Sequence, residues 1–428
     1  MINLRQKINA HRNAAAPENG RVSRAIAGEG LLAAIVANLA TAYTAMFASR
    51  MGASDSQVGL VSALPQFFAL IALIPGMLLF SRLRNHRRPV EISLLLAGFF
   101  YGLAGFAPFL GGSRVWFLIG LVAVANAPMA LYNAAWQNYF SNVIAPELRN
   151  TVYALRTSMT FIAGVVVVQL TGIILGASVS DQARLWLYQI CYWLSFLMAI
   201  LQWIILRQAP PDYAAQPATG WRDLRAAWQE IRQSKAFLSF CGIALVMHAG
   251  WYMAWPLFFL TQVDYLGANE AWLSYITVPG SILIWLTVRP WSRFIERHGI
   301  RFTVIIGCFG LALNPLLTVL AAYLPVGWGL PALLVFNLLN GLTYSAFQLT
   351  VLQCLLEVVP PRYKALNLSF YTIILLAANA VMPMVGVQIY SWLGSDLRAM
   401  TGAMVAAAVV RLAGTALFYW RWRQSRRS

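Results

Sequence analysis

Four sets of side chains in this 428-residue sequence have the types and spacing to bind something, and each lies inside a run of apolar residues. Asn126, Asn133 and Gln137 are seven and four positions apart. Asn337, Asn340, Tyr344 and Gln348 follow one another at intervals of three and four. His248, Trp251, Tyr252 and Trp255 form a third set, and Asn38 with Thr41 a fourth. On a helix, these spacings place each set on one face. The chemistry on offer is hydrogen bonding by uncharged amides and hydroxyls, with aromatic faces beside them. An amide in hydrocarbon costs roughly 2 to 7 kcal/mol unless it meets a partner or water. Two readings are therefore open: the faces line a cavity for a polar solute, or they join neighbouring helices at about 0.6 to 2 kcal/mol per contact. The aromatic set serves equally as packing or as an interfacial belt.

Ionisable residues inside the apolar runs are few: Glu29, His248 and Arg411, with Glu91 and Arg156 close to run ends. Such residues are functional candidates by default. Glu29 and His248 are the candidates for carrying a coupling proton, because a carboxyl or an imidazole can change its protonation during a cycle. Glu29 lies nine residues before Asn38, half a turn round a helix, so the two cannot face one cavity and a structural role for Glu29 is the competing reading. For His248 the competing reading is hydrogen-bonded packing. Arg411 is expected to snorkel towards an interface or to pair locally. Catalysis has no support: no HExxH and no clustered His, Asp or Glu occur. Cys191, Cys241, Cys308 and Cys354 stand singly, which predicts neither disulfides nor a metal site. No Walker motif or other cofactor signature is present, so no cofactor is expected.

The elements that must position these residues follow from composition. With 60% hydrophobic and 11% charged residues, the chain cannot cover itself for water. Apolar runs of about 20 residues, each long enough to cross a bilayer as helix, recur along its length. The predicted fold class is an all-α membrane protein of twelve transmembrane helices, at 27–48, 57–79, 89–110, 115–139, 152–176, 183–206, 238–263, 271–289, 302–323, 329–353, 366–392 and 399–420. Alternation suited to a membrane barrel is absent. The net charge of +17 is sorted by position: of 31 Lys and Arg, only Arg50, Arg114, Arg184, Arg398 and Arg411 lie outside the tails, the even-numbered loops and their adjoining helix ends. That asymmetry predicts both termini in the cytoplasm and excludes a nucleic-acid partner. Residues 1–24 have no apolar core, so no cleaved signal peptide is expected.

The chain also repeats itself. MGASDSQVGL, containing Gly52, aligns with LGANEAWLSY, containing Gly267, at an offset of 215 that lays every span of the first half on a span of the second. Ser54 and Asn269 are predicted helix caps, with Gln57 completing a capping box. SNVIAPELRNTVYAL and LEVVPPRYKALNLSF align at the same offset, Pro146 on Pro361 and Arg149 on Lys364. The expected domains are a cytoplasmic tail at 1–26, a six-helix bundle at 27–206, a cytoplasmic linker at 207–237, a second bundle at 238–420 and a basic cytoplasmic tail at 421–428. Within the linker, Trp221, Leu224, Trp228 and Ile231 predict an amphipathic surface helix.

Two six-helix repeats with inner termini and basic inner loops resemble the major facilitator superfamily over essentially the whole chain. That family's inner loop reads roughly G-x-x-x-D-R-x-G-x-R-R. SRFIERHGIR fits it, with Glu296, Arg297, Gly299 and Arg301 in place and Ser292 replacing the first glycine. GMLLFSRLRNHRRP is a degraded copy that keeps Gly76, Arg82, Arg87 and Arg88 but has Ser81 at the acidic place. The resemblance implies that these residues form inner-gate loops, and that spans one, four, seven and ten line a central cavity reached from either side in turn. All four sets named above fall on those spans. The helix-five glycine-proline pattern of drug antiporters and the sugar- and peptide-porter signatures are absent, so the subfamily is open. The expected function is secondary transport of a small molecule, neutral and polar like a sugar, or amphipathic and aromatic, with a coupling proton or cation as a further partner. A non-transporting sensor or assembly partner is the alternative. The expected setting is the bilayer of a bacterial inner membrane, and the expected state is a monomer.

Overall fold

The apolar runs separated by short basic loops fold as helix. The computed structural model describes residues 17–80, 85, 87–177, 180–211 and 220–425. Ser81 and Arg82 of the first basic loop lie outside these residues, as do the first 16 residues, 212–219 of the expected linker and 426–428. In chain order the helices are α1 Pro17–Thr41, α2 Thr44–Arg50, α3 Asp55–Phe80, α4 Arg87–Ala104, α5 Arg114–Val143, α6 Pro146–Gly176 and α7 Asp181–Leu206. They continue as α8 Trp221–Gln233, α9 Lys235–Leu260, α10 Glu270–His298, α11 Ile300–Ala322, α12 Gly329–Val358, α13 Lys364–Trp392 and α14 Leu397–Ser425.

Eleven helical runs among the described residues are long and apolar enough to cross a membrane. The expected third span is the exception: α4 has 18 residues, and Arg87, Arg88 and Glu91 are among them. It also stops at Ala104 rather than 110, because Pro108 and the left-handed Gly111 (φ 54°) divert the chain into a 3-10 turn, Ala107–Ser113. The expected span 238–263 contains Pro256, and α9 runs through it to Leu260 and on into a single π turn, Thr261–Tyr265.

The repeated caps form as the sequence predicts. Ser54 N–H donates to Gln57 Oε1 at 2.9 Å while Ser54 Oγ accepts from Gln57 N–H at 3.4 Å. Asn269 Oδ1 accepts from Trp272 N–H at 3.0 Å and starts α10. The glycines two residues before these caps, Gly52 (φ 86°) and Gly267 (φ 66°), both adopt the left-handed backbone. That conformation costs glycine nothing and a larger residue about 1 kcal/mol or more, which is why the repeat keeps Gly at both places.

Contacts divide the chain into two units, one comprising Met1–Gly52, Phe68–Thr171 and Ser178–Thr219, the other Ala53–Phe67, Gly172–Ala177 and Gly220–Ser428. In the first, α7 packs on α1 and α4, and α4 packs on α5. In the second, α9 packs on α13 and α14, while α12 packs on α10 and α11 and α11 on α14. The predicted linker helix is α8. It buries Ala227 and Ile231, sets Trp228 edge-on against Phe370, and leaves Trp221 exposed. Glu230 fixes it by accepting from the backbone N–H of Arg362 and Tyr363, at 3.3 Å each, and from Asn367 Nδ2 at 3.1 Å.

Candidate functional site

Each unit holds an ionisable side chain deep among its helices, and beside each lies a cavity. In the first unit it is Glu29 on α1, with no exposed surface. Its Oε1 accepts from Tyr132 Oη–H, in a very short hydrogen bond, and from Gln202 Nε2 at 2.8 Å. Its Oε2 accepts from Trp136 Nε1 at 3.1 Å and from Arg156 Nε at 3.0 Å. Helices α1, α5, α6 and α7 each supply part of this cluster. Arg156 also lies over the Trp136 ring, Cζ to centroid 3.7 Å, and reaches Glu29 across Gly30, where a Cβ would stand 2.3 Å from Arg156 Cγ. The carboxylate is thus answered by a cation and three neutral donors, which meets the condition for holding a charge out of water.

The neighbouring cavity, of about 320 Å³, is lined by Asn38, Asn133, Tyr132, Arg156, Thr160 and Gln202 among others. The structure therefore brings Asn38 and Asn133 together, and places them beside the partners of Glu29 rather than Glu29 itself. Asn38 Nδ2 bonds Ala34 O on its own helix at 2.8 Å, and Thr41 Oγ bonds Ala37 O at 2.9 Å. Asn133 and Gln137 are exposed and Asn126 is half-buried; Gln137 and Asn126 are not part of the lining. Tyr132, Trp136 and Gln202 were not anticipated. Their signal was faint but present: each carries a polar atom within a predicted span.

In the second unit the ion is Arg411 on α14. It neither snorkels nor pairs with an acid: it is 1% exposed, and no carboxylate meets it among the described residues. Its guanidinium donates instead to backbone carbonyls, Nε to Gly250 at 3.1 Å, Nη1 to Leu311 at 2.7 Å and Nη2 to Trp251 at 3.3 Å. The Leu311 carbonyl has a reason to accept. Four residues on stands Pro315, which has no N–H, so the helical bond at Leu311 O is missing and Nη1 replaces it. Gly250 provides the room, because a Cβ there would lie 2.9 Å from Arg411 Cγ.

Arg411 opens on a cavity of about 380 Å³ whose wall includes Trp251, Asn314, Asn337, Asn340 and Tyr344. Trp251 meets Tyr344 edge-on, with centroids 5.2 Å apart. Asn337 Nδ2 bonds Ile276 O, whereas Asn340 Oδ1 is buried with no hydrogen-bond partner. Three of the four residues predicted on the tenth span thus meet Trp251 and Arg411 at one cavity. Gln348, Tyr252 and His248 are not part of its lining. His248 is instead 7% exposed, bonded through Nδ1 to Ala244 O at 2.8 Å and stacked on Trp251. Asn314 was missed in the sequence, although Asn-Pro inside an apolar run is a readable sign.

The predicted inner-gate residues scatter. Arg87 pairs with Glu91 at 3.1 Å and donates through Nη1 to Ala209 O at 2.9 Å, and Arg207 stands 3.7 Å from the same carboxylate. Arg88, Glu296 and Arg297 are exposed. Gly299 (φ 86°) makes the turn between α10 and α11, and Arg301 pairs with Glu357 at 3.1 Å. Among the described residues no group of three His, Cys, Asp or Glu could hold a metal ion.

Helices of membrane length, carrying buried ions and cavities at their polar faces, define an integral, multi-pass membrane protein. The sequence model of the Major Facilitator Superfamily matches residues 26–313, two thirds of the chain, and this protein belongs to that family. Solved structures agree over nearly the full length. A bacterial homolog of the human lysosomal transporter Spinster is 16% identical and matches 96% of this chain and 98% of its own, with a TM-score of 0.71. A D-xylose-proton symporter is 14% identical over 94% of this chain and 97% of its own, with a TM-score of 0.71. The nucleoside transporter NupG is 13% identical over 93% and 99%, with a TM-score of 0.70. At these identities the likeness establishes the fold. No curated protein matches the sequence. The family is one of transporters.

Proposed function

We propose that the chain is a secondary transporter that moves a small molecule by alternating access, with two six-helix bundles presenting the site to each side of the membrane in turn. The observation that carries this reading is the second-unit cavity, of about 380 Å³, where Asn337, Asn340 and Tyr344 meet Trp251. Its size is that of small-molecule sites, roughly 300 to 1,000 Å³. Its amide and aromatic wall suits a polar or an amphipathic aromatic solute. We take α4 as the remaining crossing, which gives twelve in all, puts both termini in the cytoplasm and accords with the basic inner loops. The domain division is that of the sequence repeat, and the setting we propose is a bacterial inner membrane, with the protein acting as a monomer.

Glu29 and His248 remain the coupling candidates. Glu29 has the better claim, since its partners Tyr132 and Arg156 line the first-unit cavity while His248 is tied to its own helix. The test is flux of radiolabelled sugars and aromatic solutes into proteoliposomes, with and without a proton gradient. Saturable uptake that is lost in Asn337→Ala or Tyr344→Ala and driven by the gradient supports the proposal. Uptake with the same gradient dependence in Glu29→Gln would remove Glu29 as the coupling group. Binding without flux for any solute would favour the sensor reading.

A further inference from the structure

The amide and aromatic wall of the second-unit cavity accounts for a polar or aromatic solute, but not for Arg411. A guanidinium has five N–H donors and one positive charge. Three donors go to the carbonyls of Gly250, Leu311 and Trp251, which leaves one N–H on each terminal nitrogen. Carbonyl dipoles answer the hydrogens without cancelling the charge. A charge held away from water needs an opposite charge or a large desolvation cost stands against it. Among the described residues Arg411 has no ion-pair partner, and it lines the cavity. On the same wall Asn340 Oδ1 is buried and lacks a donor. The aromatic side chains around them, Trp251, Phe258 and Tyr344, are suited to a flat apolar body.

We infer that this cavity binds an aromatic monocarboxylate that also carries a hydrogen-bond donor, its carboxylate on Arg411, its donor on Asn340 and its ring among Trp251, Phe258 and Tyr344. A carboxylate has two oxygens for the two free N–H groups, and guanidinium–carboxylate pairs commonly form two such bonds. It also supplies the missing negative charge. The inference rests on reading this cavity as a ligand site and does not require that the ligand be transported. It narrows the solute classes above to a charged member of the aromatic class.

The test is equilibrium binding of radiolabelled 4-hydroxybenzoate to the full-length protein in detergent, in a chloride-free sulfate buffer. One saturable site is expected. Unlabelled 4-hydroxybenzamide, which lacks the charge, should compete at least about tenfold more weakly, the worth of one charge-assisted hydrogen bond. Benzoate should compete more weakly than 4-hydroxybenzoate in the wild type but equally in Asn340→Leu. Binding should be lost in Arg411→Gln and, because that variant removes a structural contact, also in Ser281→Phe, which puts a ring on the cavity wall and changes neither the arginine nor the residues whose carbonyls it binds. Equal competition by the amide, or wild-type binding in Ser281→Phe, would overturn the assignment while leaving a ligand site elsewhere. Chloride displacing the probe at equal concentration would show a site for inorganic anions and overturn the carboxylate. Binding of neither acid nor amide would overturn the ligand-site reading together with the inference.

Discussion

The two units bury opposite charges in opposite ways. In the first, Glu29 is surrounded by Arg156, Tyr132, Trp136 and Gln202, four side chains drawn from three other helices. In the second, Arg411 donates only to main-chain oxygens, one of which Pro315 has freed, and its Cζ lies 5.6 Å from the centroid of the Phe258 ring. The first arrangement is complete in charge, though Gln202 Oε1 is buried without a hydrogen-bond partner, so its ions contribute to holding helices together. The second is complete in hydrogen bonds at three atoms and incomplete in charge. A buried pair marks a joint, whereas a buried ion without a pair, facing a cavity, marks a place for something else.

The largest effect should come from breaking the complete arrangement. Glu29→Gln leaves Arg156 without its counter-ion, and removing one member of a buried pair costs roughly 3 to 5 kcal/mol. Unfolding of the purified protein by titration with sodium dodecyl sulfate should show a loss of that size. Combining it with Arg156→Met removes both charges and should recover most of the loss. A single variant as stable as wild type would mean that water reaches Arg156 and the cluster is not a joint.

Arg411→Met should be milder, because it removes a charge that had no partner. It breaks three hydrogen bonds, of which the one to Leu311 O leaves a carbonyl whose helical donor Pro315 cannot supply, and an unsatisfied buried carbonyl costs about 1 to 3 kcal/mol. Relief from the buried charge offsets part of this, so the expected net loss is about 1 kcal/mol. Pro315→Ala supplies the helical N–H again and should make Arg411→Met nearly neutral in that background. A loss as large as that of Glu29→Gln would erase the contrast between the units and point to an acid partner for Arg411.

Much of the frame was legible in the sequence. The spans, the basic loops, the capping box of Ser54 and Gln57 and the cap at Asn269 all depend on neighbours a few positions apart, and periodicity reports such neighbours directly. The site was legible only as faces. Asn337, Asn340 and Tyr344 share a cavity because they share a helix face, but nothing local could show that Arg411 would join them. Its acceptors lie 100 to 161 positions earlier in the chain. Arg156 reaches Glu29 across 127 positions, for which the sequence offers no measure. The half-turn between Glu29 and Asn38 was sound geometry, yet the partners of Glu29 reach round to the face that Asn38 occupies, because long side chains cross distances that helix angles do not include.

The smallest effect on stability should come from Asn133 and Gln348, which occupy equivalent places in the two repeats and are both exposed. Removing an exposed amide that anchors no neighbour changes stability by no more than about 0.5 kcal/mol. Asn133→Ala and Gln348→Ala should therefore unfold with the wild type in the same detergent titration. Asn133 lines the first-unit cavity and Gln348 is not part of the second-unit lining, so flux separates them: if the first-unit cavity takes part in transport, Asn133→Ala slows uptake and Gln348→Ala leaves it unchanged. Equal slowing in both would show that the repeat, rather than either cavity, governs which residues the solute meets. Unchanged flux in both would leave the second-unit cavity, with its uncompensated charge, as the part of the molecule that selects its ligand.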